Sequence, residues 1–281
     1  MKKINYPCVL TIAGTDPSGG AGIQADIKTI SATGCYAASV ITALVAQNTQ
    51  GVQAIQEIPA NFVMQQIDSV FSDLDISAVK IGMLHNKKNI EAVASALEKL
   101  KPKNIILDPV MVAKNGCELL PSNIINFIKE RLLPLVNLIT PNIFEAEKIV
   151  GEKIKTLHEM ESAAERIGNT FNINVLLKGG HLNTTKSSDV LYSKEDFNHY
   201  WFHEERINTK NTHGTGCTLS SAIASYLAQG CTLHNAIYLS KKYLTKAIES
   251  GSTFQIGRGC GPVNHFYFLT RDEKYDIFTD A

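Results

Sequence analysis

A chain of 281 residues with 44% hydrophobic and 19% charged side chains carries enough apolar material for one large α/β domain or two small ones. Lys+Arg and Asp+Glu both number 27, so the formal charge is zero and the basic excess expected of a nucleic-acid or anionic-membrane binder is missing. No run reaches the ~20 apolar residues of a membrane span, and six scattered cysteines without a CxxC or zinc spacing predict free thiols in a cytoplasmic protein.

Lys2 and Lys3 precede the apolar run 8–13 (CVLTIA), which is too short for a signal-peptide core and reads as a first strand. It breaks into the polar loop Gly14–Gly22, and a helix over 22–33 follows, stopped at Gly34. Further strands are predicted over 37–46, 77–82, 104–108, 136–140 and 174–178, with helices over 60–72, 88–100, 121–131, 142–150 and 157–171 between them. Gly151 marks another helix stop. The strands are nearly all apolar rather than alternating, which suits a parallel sheet covered on both faces. The alternation predicts a three-layer α/β/α fold with a mostly parallel central sheet. After Lys178 the rhythm changes. Segments 189–193 and 199–207 predict a hairpin, either an antiparallel extension of the sheet or a flap. A long helix opens at Gly214 and closes near Gly230, and a last amphipathic helix covers 233–249. With no repeat and no linker, 1–281 is expected to form a single domain.

The sharpest local feature is Thr212-His-Gly-Thr-Gly-Cys-Thr-Leu-Ser220, a glycine-rich turn running into a helix. First-turn N–H groups have no intrahelical partner, and Gly214 and Gly216 let that backbone approach an anion closely. The same segment also fits a small-residue helix start packed on a sheet. Cys217, in the first turn, is expected to have a lowered thiol pKa there, unless it is simply a buried structural cysteine. The loop Gly14–Gly22 matches neither GxGxxG nor a P-loop, so a dinucleotide or P-loop site is unsupported. The loops after successive strands should nonetheless line one crevice at the carboxyl edge of the sheet. They are Gly14–Gly22, Gln47-Asn48, Gly82-Met83, Asp108–Met111, Thr140–Asn142 and Lys178–Gly180. In that crevice Asp108 and Glu145 are candidate Mg²⁺ carboxylates, or else a strand-end cap and a solvated first-turn residue. Lys178 can neutralise a polyphosphate. Gln47 offers a donor and an acceptor side by side, as glutamine does to adenine.

With these residues assembled, the chain resembles the hydroxymethylpyrimidine/phosphomethylpyrimidine kinases of the ribokinase-like superfamily. The resemblance spans 7–268 and is carried by 11–26 (TIAGTDPSGGAGIQAD), 39–48 (SVITALVAQN), 80–84 (KIGML), 107–114 (LDPVMVAK), 140–146 (TPNIFEA) and 209–219 (TKNTHGTGCTL). It implies a thiamin-biosynthetic kinase, often dimeric, using ATP and Mg²⁺ to phosphorylate an aminopyrimidine alcohol and then its monophosphate. It implies that Gln47 reads the aminopyrimidine, with Gly14, Asp26, Met83 and Val110 completing the pocket. It assigns the turn Gly214, Thr215, Gly216 and Cys217 to the transferring phosphoryl group, and Asp108, Asn142 and Glu145 to the Mg²⁺-nucleotide. Lys178, and less directly Lys241, would serve the nucleotide. Related sugar kinases usually place an aspartate base where Cys217 stands. The tail Gly257-Arg-Gly-Cys-Gly-Pro-Val-Asn-His-Phe266 departs from the family, with Arg258 and Asn264 where relatives carry histidines, and Asn-Gly-Cys117 stands where Ser-Gly-Asp is common. The rival expectations are a pyridoxine or pyridoxal kinase and a non-catalytic vitamin-binding protein.

Overall fold

The computed structural model describes residues 6–111, 122–182 and 185–269; the Cys117 loop lies outside them. Strand β1 (Cys8–Ala13) is buried along its whole length, as its unbroken apolar run requires. It leads through the first glycine-rich loop into α1 (Gly22–Ala32) and on to β2 (Tyr36–Ile41). The predicted strand 37–46 is two strands. Thr42, fully buried, breaks it: its N–H donates to Ala13 O at 3.0 Å and its hydroxyl to Met83 O at 2.6 Å. The chain therefore leaves the main sheet there and enters a separate antiparallel hairpin, β3 (Ala43–Asn48) and β4 (Gly51–Glu57). The polar sequence of β4 (GVQAIQE) buries none of its residues, which is why its strand character was missed.

The rest follows the predicted alternation: α2 (Ala60–Phe71), β5 (Ile76–Ile81), α3 (Lys87–Leu100), β6 (Ile105–Leu107), α4 (Ser122–Arg131), β7 (Leu138–Ile139), α5 (Ile143–Val150), α6 (Leu157–Phe171) and β8 (Asn174–Lys178). Capping boxes start α5 (Asn142 with Glu145) and α6 (Thr156 with Glu159), and left-handed Gly151 ends α5. β9 (Lys186–Ser193) and β10 (Asn198–Glu205) extend the sheet antiparallel to β8, so the late hairpin is an edge extension. α7 (Thr215–Ala228) and α8 (Leu233–Gly251) complete the order.

The eight-stranded sheet runs β10-β9-β8-β7-β6-β5-β1-β2, parallel from β8 to β2. Side chains alternate across it. Leu10, Ile12 and Ile81 join Val63, Ile90 and Ile167 of α2, α3 and α6 on one face. Val9, Ile106 and Leu176 join Ile30, Leu219, Ile223 and Ile237 of α1, α7 and α8 on the other. This is the three-layer α/β/α arrangement. At roughly 25 cal/mol per Å² of apolar surface, each fully buried leucine or isoleucine contributes about 2 kcal/mol, so two continuous cores hold the strand ends of the site rigidly. Cys8, Cys35, Cys217, Cys231 and Cys260 are free thiols. No helix among the described residues is long and apolar enough to cross a membrane.

Candidate active site

The carboxyl ends of β1, β5, β6, β7 and β8 open on one cleft of about 550 Å³. Gly14, Thr15 and Asp16 follow β1, Met83 follows β5, and Asp108, Val110 and Met111 follow β6. Asn142 and Glu145 follow β7, Lys178 ends β8, and Gly214–Cys217 start α7. Gln47 enters from the β3–β4 hairpin, which is tied to the first loop by Thr15 N–H on Ala43 O and Val45 N–H on Thr15 Oγ1.

Two glycine-rich loops pack directly together at the centre. Gly214 is left-handed (φ +78), and a Cβ on it would lie 1.8 Å from Gly20 O. Only glycine satisfies both conditions. Its neighbour Gly216 is bare for a second reason: a Cβ there would sit 3.3 Å from Lys178 Nζ and 3.4 Å from Asp108 Oδ2. The amino end of α7, with its outward N–H groups and positive dipole end, thus stands beside a lysine and a carboxylate.

Charges in the cleft are strongly coupled. Lys178 Nζ donates to Asp108 Oδ1 at 2.9 Å, and Thr140 Oγ1 donates to the same oxygen at 3.3 Å. Burial opposes the Lys178 cation, but Asp108 and Glu145 outweigh it and hold its pKa above the ordinary value. Glu145 goes the other way. Burial, with the Asp108 charge, pushes its carboxyl up to about 7 against the pull of Lys178 and the Asn142 and Met111 backbone. Asn142 and Glu145 are also each other's helix cap, with Asn142 N–H on Glu145 Oε2 at 2.8 Å and Glu145 N–H on Asn142 Oδ1 at 3.0 Å.

The thiol expectation is reversed. Cys217 stands in the first turn of α7 as predicted, but burial pushes its pKa up to about 11, with Asp26 and Asp108 adding to the rise. Lys80 and a backbone bond from Gly22 only partly offset this. Desolvation outweighs the helix end, and Cys217 is a neutral thiol near pH 7.

Two expected site residues stand outside the cleft wall. Asp26 is fully buried beneath the floor, where it accepts Thr11 Oγ1 at 2.6 Å, Lys80 Nζ at 2.8 Å and Ser221 Oγ at 2.8 Å. It touches the pocket through Lys80, not directly. Lys241 lies on α8 in a buried ion pair with Asp189, whose other oxygen accepts the Gly179 N–H at 3.0 Å. Its place is behind the β8 end, one layer from the cleft.

Asp16, His213 and Lys80 line the cleft and were not singled out from the sequence. All three sit inside the stretches that carry the resemblance, and a lysine in the apolar run SAVKIG was the available signal for Lys80. Phe144 and His181 form an edge-on ring pair, centroids 4.8 Å apart, at the Lys178 side. The tail is structural. Gly261 O accepts the His213 N–H at 3.0 Å, His265 meets Thr218 at 3.1 Å, and Asn264 bonds Ser250 at 3.0 Å, while Arg258 is exposed.

The fold superposes on the pyridoxal kinase of Bacillus subtilis, solved as an ADP complex, with a TM-score of 0.87 at 36% identity, covering 94% of this chain and 100% of that one. Fold and cleft together define a ribokinase-like α/β kinase. In sequence, the chain is 47% identical over 268 residues to the hydroxymethylpyrimidine/phosphomethylpyrimidine kinase of Escherichia coli, covering 95% of this chain and 99% of that protein. It is 49% identical over 257 residues to the thiamine biosynthesis bifunctional protein of Geobacter sulfurreducens, covering 92% of this chain and about half (52%) of that longer protein. Residues 16–264 match the phosphomethylpyrimidine kinase family profile, and the chain belongs to that family.

Proposed function

We propose that this chain transfers the γ-phosphoryl group of ATP to 4-amino-5-hydroxymethyl-2-methylpyrimidine and then to the resulting monophosphate, in thiamin biosynthesis. The observation that carries the reading is the meeting of the Gly214–Cys217 turn with Lys178 and Asp108 in the same cleft that Gln47 lines. An anion cradle and a ring-reading amide in one cleft would suit a kinase of a ring-borne alcohol. Phosphoryl transfer asks mainly for positioning and charge stabilisation. The N–H groups of the turn hold the transferring group, Lys178 neutralises phosphate oxygens, and Asn142 and Glu145 shape the nucleotide side. Gly14, Met83 and Val110 pack against the pyrimidine.

The donor set fits Mg²⁺. Asp108 and Glu145 offer hard oxygen donors, and Glu145, whose pKa is raised by burial and to a lesser degree by the Asp108 charge, would be relieved by a cation there. Among the described residues no group of three His, Cys, Asp or Glu could cage a metal, so waters and nucleotide oxygens would complete the shell. The ion supplies neutralisation of charge on the phosphoryl oxygens. The reading also takes 1–281 as one kinase domain, acting in the cytoplasm and as a homodimer.

The neutral Cys217 thiol suits both steps. The first acceptor is an alcohol. The second is a phosphate with a second pKa of about 6, already ionised and in need of no base. Pyridoxine phosphorylation is the second reading, supported by the likeness to the Bacillus subtilis pyridoxal kinase. The higher identity to the pyrimidine kinase favours the first. ADP release with ATP and Mg²⁺ decides between them when hydroxymethylpyrimidine, its monophosphate and pyridoxine are compared at matched concentrations. Turnover of both pyrimidines with pyridoxine slow is expected; preference for pyridoxine moves the activity to vitamin B6, and binding without turnover makes the chain a vitamin binder.

A further inference from the structure

The tail segment Gly257-Arg-Gly-Cys-Gly261 serves neither the anion cradle nor the nucleotide side, yet it touches the hairpin that carries Gln47. That hairpin pairs with no strand of the main sheet. Its base is fixed, because Ala43 and Val45 are buried and both are bonded to Thr15 of the first glycine-rich loop. From Ala46 to Glu57 no residue is buried. The ladder also slips at Gln47, with Ala46 opposite Ala54 but Gln47 opposite Val52. Such a bulge re-aims the side chains beside it, so their direction depends on what holds the strand further out.

Thr49, at the turn, is that outer anchor. Its carbonyl accepts the Cys260 N–H at 3.0 Å and its hydroxyl accepts the Gly259 N–H at 3.1 Å. The approach is so close that a Cβ on Gly259 would overlap Thr49 O, and one on Gly257 would overlap the Thr49 side chain. Gln47 itself is 3.5 Å from His213 Nε2, the outer limit of a hydrogen bond, so the two shorter bonds at Thr49 do more to hold the tip. The tail is tied on its other side as well. Gly261 O accepts the His213 N–H at 3.0 Å, Pro262 bridges to His213, and buried Asn211 donates to Gly251 O at 2.8 Å. The tail thus splints the hairpin tip, two residues beyond Gln47, to the residue that precedes the Gly214–Cys217 turn.

We propose that Thr49 is a positioning residue for the acceptor: pinned by Gly259 and Cys260 of the tail, it sets where the Gln47 amide stands relative to the Gly214–Cys217 turn. The inference rests on the pyrimidine kinase reading above and deepens it. A loosened tip weakens the hold on the acceptor ring and leaves alone the nucleotide side, which Asn142 and Lys178 form on other strands. Both acceptors carry the same ring, so both feel the change equally.

The test is substrate-varied kinetics with the alcohol, the monophosphate and ATP in the wild-type protein, Thr49→Val, Thr49→Ser and Gly259→Ala, with backbone hydrogen exchange over 46–53 measured on each. Thr49→Val keeps the shape without the hydroxyl and is expected to raise KM for both pyrimidines about fivefold, the size of one lost hydrogen bond, with KM for ATP within about twofold. Thr49→Ser keeps the hydroxyl and restores KM. Gly259→Ala forces the tail off Thr49 and is expected to raise both pyrimidine KM values at least about tenfold and to speed exchange over 46–53 by a similar factor. Thr49→Val decides the matter where Gly259→Ala fails to fold. The inference is overturned by a KM for ATP that rises in step with the pyrimidines, or by a kcat that falls with every KM unchanged, which is what a merely structural role gives. A rise confined to the monophosphate overturns it too, by moving the effect from the ring to the phosphate. Pyrimidine turnover with KM and exchange unaltered in the variants overturns the inference alone. A wild type that turns over neither pyrimidine overturns the functional reading, and the inference with it.

Discussion

Replacing Cys217 with aspartate separates the two proposed phosphorylations by charge alone. The native thiol, raised to about 11, is neutral during turnover and adds no field to the cleft. An aspartate there brings a unit negative charge to the amino end of α7, beside Asp108 and above the Asp26–Lys80 pair. With the alcohol, the added carboxylate meets no charge on the acceptor and can serve as a general base, so the first step keeps activity. With the acceptor monophosphate it faces a near-dianion. At ~5 Å and an effective dielectric constant of ~20, one pair of unit charges costs about 3 kcal/mol, and the dianion doubles that. Lys80 and Lys178 are present with both acceptors and cancel from the comparison, so between about 3 and 6 kcal/mol stands against the second step, a factor of at least about 100. The assay is separate steady-state kinetics with the alcohol and with the monophosphate as sole acceptor, in Cys217→Asp and in Cys217→Ala. Alanine removes the thiol without adding charge and should slow both steps alike. The ratio of second to first rate should fall at least about 100-fold in Cys217→Asp only. Equal losses of both rates in Cys217→Asp would refute the charge argument.

Lys178→Met removes the cation shared by Asp108 and Glu145. It should raise KM for ATP and lower kcat by about 100-fold while KM for the pyrimidine stays within about twofold, which substrate-varied kinetics would read directly. Lys241 is placed behind the cleft by its pair with Asp189, and Asp189 anchors the Gly179 N–H. The double variant Lys241→Met/Asp189→Asn keeps that acceptor, so its activity should stay near wild type, whereas Lys241→Met alone, with a lone buried carboxylate, should unfold about 3 kcal/mol more easily in urea. His265 is 3% exposed, and burial, with the Lys28 charge, pulls its pKa down to about 4 from 6.5. A depressed histidine binds its proton better when unfolded, so its stability contribution is full above about 6.5 and is lost as pH falls towards about 4, amounting to roughly 3 kcal/mol. Denaturation midpoints at the two ends of that window should converge in His265→Gln.

The sheet was legible because β1 and β5 to β8 are central strands, and burial on both faces forces the apolar runs that mark them. The hairpin β3–β4 was not, because one partner is polar throughout and the break at Thr42 depends on Ala13, Met83 and Asn89, which only the fold brings to it. The same division runs through the site. Residues that follow a strand, such as Asp108, Asn142 and Lys178, reach the cleft by topology, and a list of strand ends finds them. Charge balance is another matter. The amino end of α7 should favour a Cys217 thiolate, yet the cost of desolvation among Asp26 and Asp108 exceeds it, and those carboxylates lie 191 and 109 positions away in the chain. Asp26 and Lys241 were drawn into the site on the resemblance alone; Asp26 proves to hold Lys80, which lines the cleft, and Lys241 holds Asp189, which in turn anchors the Gly179 N–H after β8. Motif position therefore locates the chemistry to within one shell of packing. Which shell a charged residue occupies is decided by the partner it finds across the sheet, and for Asp16 that partner, His213, is supplied by a loop 197 residues further along.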